Sequence, residues 1–129
     1  MNKSYEIKDL VGKTIKSISG GKDTDYINFT TEDGYQGSIH HIQDCCESVS
    51  IQDIKGDLQG LIGSPITLAS EDCPDLPDED MPEYYNSSYT WTHQVLQTKK
   101  ERVEILWYGS SNGYYSEGVT FEMGKPIGV

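Results

Sequence analysis

Positive charge is scarce in this sequence. Arg102 is the only arginine among ten basic residues, which stand against 21 acidic ones for a formal net charge of −11. A field of that sign repels nucleic-acid phosphates and anionic lipid. Direct nucleic-acid binding and membrane attachment are therefore not expected, and a basic protein partner is. Plain solubility is the competing explanation of the same charge. Long apolar runs are also missing. None approaches the roughly 20 residues that cross a bilayer, and the opening MNKSYEIKDL has no apolar signal core. A soluble, cytoplasmic protein is expected. Cysteine is sparse and odd in number, three in all, which suits a reducing compartment better than a disulfide scaffold. Glycine-rich phosphate cradles are absent. GGKDTD is too short and does not lie between a buried strand and a helix.

What is present fits one domain over residues 1–129. Ser4 is placed to cap a short helix, YEIKDLV, that ends at Gly12. KTIKSIS, YINFTT and YQGSIHH alternate as strands, with EDG as a hairpin turn between the last two. CESVSIQDI and SPITLAS read as further strands, and DLQGLIG as one or two helical turns. Residues 71–86 form an acidic, proline-rich loop, longer than ordinary connections. SYTWTHQVLQT, VEILWYGS and YYSEGVTFEM then form a C-terminal three-stranded meander. The sum is an α+β, mostly antiparallel domain with one or two short helices, expected as a single sheet. No internal repeat is present.

Three groups of residues carry candidate chemistry. HHIQDCCESVSI holds histidines and cysteines, but neighbours on a strand point to opposite faces. Four-ligand zinc binding is therefore poorly served, and any metal would fall to His41, Cys45 and Cys46. A thiol hydrolase built from Cys45 or Cys46 with His40, His41 or His93, oriented by Asp44 or Glu47, has the parts but no assured geometry. Flanking acids also oppose a reactive thiolate. The structural alternative places one cysteine in the core, with Gln43, Asp44 and Glu47 shaping a polar loop. No catalytic residue and no cofactor is assigned.

The second group is WYGSSNGYYSE, where Asn112-Gly113 signals a two-residue hairpin. Trp107, Tyr108, Tyr114 and Tyr115 flank it, with Asn112 and Glu117 beside them. One face packs and the other offers aromatic anchors, although cross-strand packing alone accounts for such a cluster. The third is the acidic run, in which Asp78, Glu79 and Asp80 face a basic groove or simply solvent.

The runs HIQDCCESVSIQDIKGDL, LIGSPI, SYTWT and WYGSSNGYYSEGVTF together resemble a family of small, mostly uncharacterised proteins from phages, prophages and Gram-positive bacteria. The likeness runs over roughly residues 10 to 122 and includes His41, Gln43, Asp44, Cys45, Cys46, Glu47, Trp107, Tyr108, Asn112, Gly113, Tyr114, Tyr115 and Glu117. HQVLQTKKERVEI departs from the more aromatic stretch of that family. The resemblance implies a phage context, in which small acidic proteins act by binding and block host defence. The expected function is stoichiometric binding in the host cytoplasm that inhibits a host or anti-phage defence protein, of anti-CRISPR or another anti-defence type. A sponge for a nucleotide second messenger is the alternative, and a metal- or thiol-dependent hydrolase the third. Self-association is left open.

Overall fold

The computed structural model describes residues 4–22, 24–77 and 88–126. Eight strands follow one another as β1 (Ile15–Gly20), β2 (Tyr26–Thr31), β3 (Gln36–His40), β4 (Ser48–Lys55), β5 (Leu68–Asp72), β6 (Ser88–Gln97), β7 (Arg102–Ser111) and β8 (Thr120–Gly124). They make two four-stranded sheets, ordered β1-β2-β3-β8 and β4-β7-β6-β5. Every strand pair is antiparallel. Among the described residues, helix is confined to two short 3₁₀ pieces, Ile7–Leu10 and Leu58–Leu61. The expected class is therefore what is found.

Alternation explains the architecture. Ile27 and Phe29 of β2 and Ile39 of β3 turn inward, as do Val49 and Ile51 of β4 and Val103, Ile105 and Trp107 of β7. The two inner faces share one core cluster, joined by Leu10 and Leu61 from the 3₁₀ pieces. Burying each such side chain fully contributes roughly 1.5–3 kcal/mol. Trp107 lies at the centre, 1% exposed. Its indole donates to Gln94 Oε1 at 2.9 Å, so the ring's one polar atom is satisfied inside the core.

Local signals account for most of the turns. EDG makes the β2–β3 turn, with Gly34 at φ 93° and its amide donating to the Thr31 carbonyl. The first 3₁₀ piece is capped by Glu6 rather than Ser4, through reciprocal bonds with Asp9. Residues 63–66 run beside the start of β1: Gly12 donates to the Ile66 carbonyl at 2.8 Å, and Ile66 to that of Lys13 at 2.9 Å. This ties the lead-in of β5 to the other sheet.

Three expectations change. The single sheet is two. The C-terminal meander exists only as far as the β6–β7 hairpin, because β8 crosses to the other sheet and pairs with β3. The acidic loop begins after residue 72, since Glu71 and Asp72 belong to β5, and residues 78–87 lie outside the described residues.

Candidate functional site

The two segments singled out in the sequence meet. One is the β3–β4 connection, residues 41–47, and the other the β7–β8 crossover, residues 112–119. His41 Nδ1 donates to the Gly118 carbonyl at 2.7 Å, and its Nε2 donates to Glu47 Oε2 at 2.8 Å. Both partners are acceptors, so both ring nitrogens donate.

Glu47 organises the first connection. Its side chain has no exposure, and that of His41 has 4%. Glu47 Oε1 accepts from the Cys45 amide at 2.8 Å and Gln43 Nε2 at 3.1 Å. Glu47 Oε2 accepts from the Asp44 amide at 2.9 Å as well as from His41. Gln43 also donates to the Glu47 carbonyl at 2.7 Å. Burial alone pushes the Glu47 carboxyl up, but the two amides and the imidazole outweigh it and hold the group at about 2.

Glu117 organises the second. It is 7% exposed and accepts from Thr90 Oγ1 at 2.7 Å and Ser88 Oγ at 3.3 Å, and from the hydroxyl of Ser111. Its seat is Gly109, where an added Cβ would stand 2.9 Å from both Glu117 Cβ and the Glu117 carbonyl oxygen. The turn itself is closed by side chains. Asn112 Oδ1 accepts from the Tyr114 amide, and Ser111 Oγ from that of Gly113. Side-chain capping thus takes the place of a β-hairpin, and the chain leaves for the other sheet.

The predicted site residues divide accordingly. Trp107 and Glu117 are buried and make no surface contact. Tyr108 is half-buried on the outer face of its sheet, its centroid 4.6 Å from the Trp91 ring and 6.2 Å from the Tyr89 ring. Asn112 is exposed, Tyr115 half-buried, and Tyr114 85% exposed, with the two tyrosine rings edge to face at 5.3 Å. Asp78, Glu79 and Asp80 lie outside the described residues. Neither cysteine enters the core. Cys45 and Cys46 are exposed and joined by a disulfide. Their sulfurs are bonded to each other and both His41 nitrogens are engaged, so the metal set His41, Cys45 and Cys46 is not assembled for a metal ion. Among the described residues no three His, Cys, Asp or Glu side chains are grouped as ligands. Of the thiol-hydrolase set, the sulfurs of Cys45 and Cys46 are bonded to each other, and His93 lies between Asp72 and Glu104 at 3.1 Å each.

Sequence reasoning overlooked Glu47 as the hub and the hydroxyls of Ser88, Thr90 and Ser111 around Glu117. A signal existed for both acids. Glu47 is in phase with Val49 and Ile51, and Glu117 with Val119 and Phe121. An acid on the apolar phase of a strand marks a buried carboxylate that must be satisfied.

No helix among the described residues is long and apolar enough to cross a membrane. No curated protein and no solved structure matches the chain. A family model described as a domain of unknown function, DUF7448, matches residues 8–121, which take in both connections and both buried carboxylates. The chain belongs to that family.

Proposed function

We propose that the protein works by stoichiometric binding to a protein with a basic surface, through the paired connections 41–47 and 112–118. One observation carries this proposal. Two buried carboxylates with complete sets of donors fix two loops whose tips serve no core, leaving Ile42 60% and Tyr114 85% exposed. Rigid loops lose little conformational freedom on binding, and exposed aromatic rings are preferred anchors. A net charge of −11 speeds encounter with a basic partner. That the partner is a host or anti-phage defence protein, met in the host cytoplasm, is part of the proposal and rests on the phage resemblance. For a nucleotide sponge the adjacent cations on offer are Lys99 and Lys100, exposed at the β6–β7 turn, while Arg102 beside them is taken up by Gln97 at 2.7 Å and Glu104 at 3.8 Å.

The test is capture from a bacterial host lysate on immobilised protein, followed by surface plasmon resonance with the recovered partner. A fixed stoichiometry is expected, with dissociation from Tyr114→Ala faster by about tenfold or more. Unchanged dissociation from both Tyr114→Ala and Ile42→Ala, or turnover of a compound at substoichiometric protein, refutes it.

A further inference from the structure

A cleft of about 540 Å³ opens between the first 3₁₀ piece, β5 and the start of β8. Ile7, Ala69, Val119, Phe121 and Tyr5 give it an apolar and aromatic side beside its polar residues. Two carboxylates line it, those of Glu6 and Glu71; Glu6 is paired with Lys8, and the position of Glu71 is built from the core outwards. Trp107 Nε1 donates to Gln94 Oε1 at 2.9 Å, and Gln94 Nε2 donates to Glu71 Oε1 at 2.8 Å. Gln94 is fully buried and sits opposite Glu71 in the β5–β6 register, whereas Glu71 is exposed. A buried amide with both ends bonded thus holds an exposed carboxylate on one side only, leaving acceptor capacity turned to the cleft. The one cation at the rim, Lys8, is paired with Glu6 at 3.0 Å.

We infer that this cleft receives an arginine side chain from the protein partner. It rests on the binding function proposed above and names a second anchor for it, apart from the two loops. Charge complementarity selects a cation, and the apolar walls select one with a hydrocarbon stem. The guanidinium is preferred over an ammonium because it is planar, is weakly hydrated, stacks on aromatic rings and forms forked bonds with a carboxylate. The volume lies within the range of ordinary ligand sites, about 300–1,000 Å³.

The probe is a blocked tetrapeptide with a single arginine, titrated into the intact ¹⁵N-labelled protein, beside the same peptide with neutral citrulline. Shifts are expected at the Trp107 indole and the Gln94 side-chain amide, with Tyr114 and residues 41–47 unmoved. Citrulline in place of arginine, and Glu71→Gln in the protein, should each weaken binding by about tenfold. Val119→Phe, which fills the cleft and keeps the carboxylate, should abolish it and guards against misfolding of the first variant. Equal response to the two peptides, or no shift at the indole in the millimolar range, overturns the inference. Either outcome leaves the loop proposal standing, because that one fails separately, through unchanged partner dissociation from Tyr114→Ala and Ile42→Ala.

Discussion

The two connections are anchored by the same kind of group and held in different ways. Glu47 is gripped by two backbone amides, a side-chain amide and an imidazole, all pure donors in this setting. Glu117 is gripped by three hydroxyls. A hydroxyl rotates and turns from donor to acceptor, whereas an amide N–H keeps one role. The 41–47 connection is therefore committed to a carboxylate in a way the 112–118 crossover is not. The first depends on charge and its donors, the second on space over Gly109.

Substitutions separate these two dependences. The largest loss of stability is expected from Glu47→Gln, because the new amide turns its own N–H groups toward backbone donors that cannot rotate away. Thermal melting should show a greater drop for Glu47→Gln than for any other loop substitution. A smaller drop than that of Glu117→Gln would reverse the comparison.

Gly109→Ala comes next. Its Cβ meets backbone and side-chain atoms of Glu117 at 2.9 Å and Val49 Cγ2 at 3.0 Å, so overpacking should cost about 1–3 kcal/mol in denaturant unfolding. Glu117→Gln should cost less, about 1 kcal/mol, since one hydroxyl reorients to accept from the new amide. A Gly109→Ala variant as stable as the parent would show that the close approach of Glu117 is not what makes glycine necessary.

Acid sharpens the contrast. The Glu47 carboxyl is lowered from 4.5 to about 2, so the folded state binds its proton less readily than the unfolded chain. Its contribution is complete above the ordinary value of 4.5 and is lost as pH falls through about 2. Over that window the parent should lose more stability than Glu47→Gln, which has no proton to gain there. Parallel curves would remove Glu47 from the acid response. The smallest effect on stability belongs to Tyr114→Ala, within about 0.5 kcal/mol, even though the same change is expected to weaken partner binding most among loop-tip residues.

Much of the fold was legible because one-sided burial writes itself as alternation. YINFTT, YQGSIHH and VEILWYGS each fall inside or across a strand, and EDG turns where expected. The division into two sheets was not legible. Asn112-Gly113 is as good a signal for a side-chain-capped turn as for a hairpin, and only the burial of Glu117 decides between them. The site was legible as a place and not as a mechanism. HIQDCCE and SNGYYSE stand out by composition, yet their meeting follows from the β3–β8 pairing, with His40 opposite Thr120, and from the bond between His41 and Gly118. Alternation leaves open which of the clustered aromatics pack, and Trp107 is one that lies in the core. Its indole partner, Gln94, lies on the neighbouring strand 13 positions earlier.

The Cys45–Cys46 bond crosslinks residues one apart in sequence. Cross-links stabilise chiefly by denying the unfolded chain its freedom, and the gain grows with the length of loop enclosed. A ring that encloses a single peptide withholds almost none of that disorder. The thermodynamic weight of the β3–β4 connection therefore rests on Glu47 and its donors, and reduction of the Cys45–Cys46 bond is expected to change stability little.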